Sequence, residues 1–180
     1  MRLSGSRDIV LPVFHTTRIA LREVVADDFE NFYRLDSDPR VMRFIADGRV
    51  GTPESARAAV ERAMRYYRTY PGLGKWVAVE KSARQFIGWF SLNYVPNTVD
   101  VEIGYRLLPD AWGRGYAKEG ASALARHGFE TLGMYRIIGL THLDNIASQR
   151  VLQKVGMRDA GWGRYYDRDL RLFVAERPPR

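Results

Sequence analysis

The sequence predicts an α/β fold, a mixed and mostly antiparallel sheet of about seven strands with helices on both faces. Three observations carry this. Alternating segments and helix-periodic segments follow one another in the order β-α-α-β-β-β-α-β-α-β-β. The connectors "SAR" and "PN" between the three central strands are short enough to require antiparallel hairpins. One strand–helix–strand passage lies between the hairpins, and such a crossover puts helices on both faces of a mixed sheet.

The elements can be justified in turn. "RIALREV" from Arg18 alternates and reads as a strand. Asp27 is placed to open a helix with Glu30 closing a capping box, and Phe29, Phe32 and Tyr33 share a face of it. Pro39 ends that helix, and "RVMRFI" is a short second piece. Thr52 caps the next helix with Pro53 at its first position, and Ala56, Ala59, Val60, Ala63, Met64 and Tyr67 form its apolar stripe. "YPGLG" stops it. The strands "KWVAVEK", "QFIGWFSLNYV" and "TVDVEIGYRLL" follow. A helix lined by Ala117, Ala121, Leu124, Ala125, Gly128, Phe129 and Leu132 then ends at Gly133. "YRIIGLTH" is a strand, and "NIASQRVLQKVG" a helix from N-cap Asn145 to C-cap Gly156. Two last strands surround "RYY" and "LRLFVAE".

The 180 residues suit a single domain over 1–180, with 1–16 as an N-terminal extension. No apolar run approaches the ~20 residues that span a bilayer, so no membrane partner is expected. The chain has no cysteine, which excludes disulfides, thiolate metal sites and a cysteine nucleophile, and fits a cytoplasmic protein. Three scattered histidines make a metal site improbable. The net charge of +7 favours anionic partners, either nucleic acid, the ribosome or a polyphosphate. Arginine outnumbers lysine 24 to 4, but the arginines form no block that would mark an RNA-reading surface.

The stretch "LLPDAWGRGYAKEG" from Leu107 joins a strand to a helix through Gly113 and Gly115, with Arg114 and Lys118 beside them. A helix start offers unpaired N–H groups and the positive end of the dipole, and glycine lets a phosphate approach that backbone closely. An ordinary strand-to-helix turn with surface charges has the same short pattern.

With "DNIASQRVLQKVGM" after it and "TTRIALREVVADDFENFYRLDSDPRVMRFI" before it, this stretch resembles the GNAT superfamily of acetyl-CoA-dependent N-acetyltransferases, from about Thr17 to about Glu176. The nearest branch looks like the one containing ribosomal-protein-alanine N-acetyltransferases. The family's pyrophosphate pattern is Gln or Arg, two residues, Gly, one residue, then Gly or Ala. Gly115 and Ala117 match its end, while Trp112 departs from its start. The resemblance implies a GNAT-like fold with a splayed central strand pair. It implies that N–H groups of Gly113, Arg114, Gly115, Tyr116, Ala117 and Lys118 cradle the pyrophosphate of acetyl-CoA, a co-substrate, with no metal. It also implies that Leu107 and Leu108 pair with the pantetheine arm, and that Asn145 caps its helix and bonds the same arm.

An ammonium cannot attack a thioester, so a base or a water relay must take its proton. Asp100, Glu102, Gly104 and Arg106 share a strand face. The branch's "VEIGY" pattern favours Glu102 as the base, while a solvated face or a salt bridge to Arg106 explains it as well. His142 is a second candidate base. Many family members carry a Tyr acid where Leu152 stands. Ser148 resembles the branch's serine and could serve the leaving thiolate, or simply complete a helix N-terminus. Tyr165, Tyr166 and Trp162 either line an acceptor groove or pack the sheet. His15 and His127 have no identifiable partners.

The expected activity is therefore acetyl transfer by direct attack in a ternary complex, with a protein N-terminus or a small molecule as amine acceptor. Nucleic acid enters only through ribosome association, and the chain would act as monomer or homodimer. The rival readings are a non-catalytic ribosome- or RNA-binding module and an acyl-CoA sensor.

Overall fold

The computed structural model describes residues 12–177. Its strands are β1 (Pro12–His15), β2 (Ile19–Glu23), β3 (Gly74–Glu80), β4 (Gln85–Tyr94), β5 (Val101–Leu107), β6 (Arg136–His142), β7 (Arg158–Tyr165) and β8 (Arg168–Glu176). The helices are α1 (Phe29–Asp36), α2 (Pro39–Met42), α3 (Pro53–Thr69), α4 (Tyr116–Arg126, continued by a π-turn to Thr131) and α5 (Ile146–Lys154). The described strands form one sheet in the order β1-β2-β3-β4-β5-β6-β8-β7. Every neighbouring pair is antiparallel except β5 and β6.

The sheet thus has eight strands where about seven were expected. The addition is β1, inside the stretch read as an extension. Four residues are too few for alternation to stand out, yet Phe14 and His15 pair with Leu21 and Ala20 at the sheet edge. Residues 1–11 lie outside the described part.

Most local signals act as expected. Thr52 Oγ1 accepts the Ser55 N–H at 3.2 Å and caps α3, and Asn145 Oδ1 accepts the Ser148 N–H at 3.1 Å and caps α5. The start of α1 differs. Asp27 does not cap it; a 3₁₀ turn over Ala26–Asp28 comes first. The reason is Asp28, whose carboxylate accepts the Val25 N–H at 2.9 Å and two guanidinium bonds from Arg22 at 2.6 and 2.7 Å. Pro39 not only follows the end of α1 but starts α2, with Asp38 as the N-cap.

Apolar residues sort the two faces. Trp76, Ala78, Phe90, Leu92 and Ile103 pack with Leu124 of α4. Val77 and Trp89 pack with Phe32 and Leu35 of α1 and with α3. Phe32 and Leu35 are fully buried, each contributing about 1.5–3 kcal/mol. Helices therefore lie on both faces, α1–α3 on one and α4–α5 on the other. Among the described residues no helix is long and apolar enough to cross a membrane.

Candidate active site

Strands β5 and β6 touch at one point of register, Glu102 opposite Ile138, and separate toward Leu107 and His142. This is the splayed pair. A cleft of about 1630 Å³ opens there, lined by residues of β5, β6, the α4 start and α5.

The α4 start forms one wall. Gly113 and Gly115 take φ of +70° and +82°, a left-handed conformation that L side chains rarely adopt. Gly115 is the N-cap, so no side chain caps α4. Among the described residues, N–H groups from Gly113 to Lys118 have no hydrogen-bond partner. Gly113, Gly115, Tyr116, Ala117 and Lys118 line the cleft, but Arg114 does not; its guanidinium stands over the Tyr116 ring at 5.0 Å. An open row of donors, Gly113 with open space beside it, Gly115 with only Arg18 Nη2 within 3.3 Å of where a Cβ would stand, and the Lys118 cation fit a pyrophosphate. Among the described residues no cluster of His, Cys, Asp or Glu could hold a metal ion.

Residues missed in the sequence brace this wall. Glu119 accepts Arg18 Nε at 2.8 Å, the Arg18 N–H at 2.7 Å and Thr16 Oγ1 at 2.5 Å. Arg18 also donates to the Arg114 carbonyl at 2.8 Å and covers the Tyr116 ring at 4.5 Å. Trp112, the departure from the family pattern, folds back so that its indole donates to the Leu107 carbonyl at 2.8 Å. Leu107 lines the cleft; Leu108 does not, and its N–H is bonded to the Ile87 carbonyl at 2.9 Å.

Glu102 stands beside the split. Its Oε2 accepts the Tyr166 hydroxyl at 2.8 Å. Desolvation pushes its carboxyl up to about 7, against the lowering effect of hydrogen bonds from Tyr166 and the Leu140 backbone. Glu102 makes no salt bridge to Arg106, because Arg106 is bound to Asp36. Asp100 lies outside the cleft and pairs with Arg136 at 3.1 Å. Tyr166 reaches Glu102 from the tip of the β7–β8 hairpin, where Tyr166 and Asp167 take φ of +52° and +58°. Such turns favour Asn-Gly, so the backbone holds Tyr166 at a cost.

Ser148 Oγ lies 2.7 Å from the Tyr105 hydroxyl, and both line the cleft. Burial pushes the Tyr105 phenol up to about 12. Leu152, where the family often has Tyr, is buried with its methyl against Gly139. Asn145 and His142 also line the cleft. His142 Nδ1 accepts the Asp144 N–H at 3.1 Å, which occupies that lone pair. Of the three aromatics considered for an acceptor groove, only Tyr166 lines the cleft; Tyr165 packs with Ile138 and Val174, and Trp162 is 67% exposed. His127 does have partners: it bonds the Gly72 carbonyl at 2.8 Å and packs on Phe14 and Trp76.

Residues 18–158 match the acetyltransferase (GNAT) domain family. The chain belongs to the GNAT acetyltransferases. It is 36% identical over 154 residues to the FsC-acetyl coenzyme A-N(2)-transacetylase of Aspergillus fumigatus, covering 81% of this chain and 65% of that one. The chain thus spans just under two thirds of that relative. The crystal structure of a GNAT-family acetyltransferase from Bacillus anthracis has a TM-score of 0.76 at 25% identity, over 90% of this chain and 96% of that one. The fold is also that of RimL, a ribosomal L7/L12 alpha-N-protein acetyltransferase solved with coenzyme A, with a TM-score of 0.76 at 18% identity over 93% of this chain and 97% of that one. As a GNAT member the chain is an enzyme of the N-acetyltransferase class, and its family uses acetyl-CoA.

Proposed function

We propose that this GNAT enzyme transfers the acetyl group of acetyl-CoA to a primary amine by direct attack in a ternary complex, and that the acceptor is a protein N-terminus. The observation that carries the reading is the meeting of two unlike walls at the β5–β6 split, with unpartnered N–H groups on one and the desolvated Glu102 on the other. Acetyl-CoA, when bound, supplies the thioester carbon that the amine attacks. Gly113, Gly115, Tyr116, Ala117 and Lys118 hold its pyrophosphate, Arg114 adds positive charge from outside the cleft, and Leu107 and Asn145 orient its arm; Leu108, outside the cleft with its N–H already bonded, takes no part.

Glu102 takes the proton of the incoming ammonium, directly or through water. A carboxyl near 7 is a far better base than an ordinary carboxylate and is still ionised enough to act at neutral pH. Ser148 hands a proton to the leaving thiolate and draws on the Tyr105 hydroxyl behind it. These hydroxyls offer an acid that does not depend on a Tyr at Leu152, so the sensor reading gains no separate support. The preference for a protein N-terminus draws on the branch resemblance and on the RimL-like fold.

Thiol release tests this reading. With acetyl-CoA, peptides bearing a free N-terminus are expected to support turnover better than spermidine or an aminoglycoside. A preference for either polycation would overturn the protein acceptor, and no release with any amine would overturn the transferase reading.

A further inference from the structure

Sheet register collects a set of side chains on one side of the cleft floor. Glu102 is opposite Asn93, Gly104 opposite Ser91, Arg106 opposite Trp89, and Ser91 opposite Lys75. Alternation then directs Lys75, Trp89, Ser91, Asn93, Glu102 and Arg106 to the same face, and all of them line the cleft. Gly104 is the gap in this floor. A Cβ there would lie 2.7 Å from Ser91 Oγ, so the glycine is what lets the Ser91 side chain lie over that point of the floor.

The two cations on the floor differ in their commitments. Arg106 is bound to Asp36. Lys75 Nζ has no hydrogen bond or ion pair among the described residues and rests 3.7 Å from the centre of the Trp89 ring. Burial lowers its ammonium to about 7, with Arg106 adding to the effect and Asp36 opposing it. A ring face returns only part of what a desolvated ammonium loses in leaving water. The acid on the same floor, Glu102, is engaged by Tyr166. Lys75 is thus a cation without an ion pair among the described residues, beside the Arg106–Asp36 pair and on the opposite face of β5 from the Tyr105 and Ser148 hydroxyls.

We propose that Lys75 is a carboxylate-binding residue for the acceptor, and that the acceptor is an amine with a carboxylate close to its nitrogen. Two sources offer this chemistry: the side chain of an acidic residue at a peptide N-terminus, or the α-carboxylate of a free amino acid. The inference rests on the transferase reading and deepens it. Lys75 holds the carboxylate while Glu102, two strands across the same floor, receives the ammonium proton. A charge-assisted bond of this kind, made in a desolvated cleft, corresponds to a preference of about 10-fold or more.

The test compares kcat/KM for matched acceptors. One pair is Asp-Ala-Ala-amide against Asn-Ala-Ala-amide; the other is alanine against alaninamide. The expected result is a preference for the carboxylate in one pair, which also identifies the source. Lys75→Met is expected to bring that ratio toward one, and Lys75→Arg to keep most of it. No preference in either pair, or a ratio unchanged in Lys75→Met, would overturn the subsite. Should Lys75→Met fail to fold, Lys75→Gln gives the same reading. If no amine releases thiol, the transferase reading has failed separately. The subsite is then read by calorimetric titration of the protein–CoA complex with N-acetylalanine and N-acetyl-Asp-amide, where binding that Lys75→Met weakens upholds it and absence of binding overturns it.

Discussion

Strand β5 presents two different surfaces on alternate residues. Ile103, Tyr105 and Leu107 turn toward α4 and α5, where the donor row of Gly113–Lys118 and the Tyr105–Ser148 pair lie. Glu102, Gly104 and Arg106 turn the other way, toward Asp36, Lys75 and the Tyr166 hairpin. On the first surface the donor row follows β5 along one stretch of chain and only Ser148 comes from elsewhere, on α5; the second is drawn from α1, β3, β4, β5 and the β7–β8 turn. A polyanion of fixed shape can be held by contiguous backbone donors, whereas an acceptor needs side chains whose chemistry is set by burial. The two surfaces should therefore fail in different ways when mutated.

The largest effect is expected on the surface proposed for the acceptor. Glu102→Gln keeps the shape but cannot take a proton, and should lower kcat by ~10²–10⁴-fold at neutral pH, with partial recovery at higher pH as more amine arrives deprotonated. A loss of only a few-fold, with a pH profile parallel to wild type, would remove Glu102 from the role. Stability gives an independent check. Because the folded protein binds this proton more tightly than the unfolded chain, ionisation works against folding; the penalty begins above the ordinary carboxylate value and is complete above about 7. Glu102→Gln should thus be near neutral in stability at pH 5 and stabilising by about 1–3 kcal/mol at pH 8.5, read from urea unfolding.

The surface proposed for the cofactor should respond in binding rather than in chemistry. Gly115→Glu puts a side chain at a φ of +82°, its Cβ 3.3 Å from Arg18 Nη2, and a negative charge in the loop proposed to hold the pyrophosphate. Acetyl-CoA affinity should fall by about 100-fold, near 2.7 kcal/mol, while the rest of the fold survives. Calorimetry on a folded variant that binds with unchanged affinity would displace the cradle from this loop.

How far the sequence revealed each surface follows from how each is built. The turn at the glycine joint could be read because its conformation needs glycine, whereas its reading as a phosphate cradle comes from the family resemblance and not from the glycines alone. Asn145 and Thr52 could be read because a cap acts on a neighbour three residues away. Alternation puts Glu102 on one face with Asp100 and the branch's "VEIGY" pattern favours it over Asp100, but its desolvation is not visible in the sequence, since it depends on what the hairpin tip covers. Lys75 and Tyr105 carry no local signal at all. Only the pairing of Lys75 with Ser91 and of Ser91 with Gly104 puts that lysine on the cleft floor, and only the docking of α5 brings Ser148 to Tyr105. Strand β1 escaped for a simpler reason, because an edge strand of four residues has too short a period to detect.

A smaller effect belongs to the hydroxyl pair. If Ser148 passes a proton that Tyr105 supports, Ser148→Ala should lower kcat by about 10-fold and leave acetyl-CoA affinity within about twofold. Tyr105→Phe should act in the same direction, and the double variant should be little worse than Ser148→Ala alone, because the two groups work as a unit. Additive losses would separate the roles. A fall in melting temperature with normal turnover would reduce Ser148 to a residue of the helix start.

The finest test concerns Tyr166, which touches Glu102 without taking the proton. Its hydroxyl donates to the carboxylate at 2.8 Å and so favours the ionised form. Without that bond, desolvation acts with less opposition and the carboxyl should rise further above 7. Tyr166→Phe should then move the rising limb of the kcat/KM profile to higher pH by less than about one unit, costing several-fold in rate at pH 7 and little at pH 9. The Tyr166→Phe change keeps the ring that lines the cleft, so acceptor packing is retained. A rate loss of the same size at every pH would instead make Tyr166 a contact for the acceptor. A shifted limb would tie the strained hairpin tip to proton transfer, and would show that the acceptor surface is tuned by a residue 64 positions away from the base it serves.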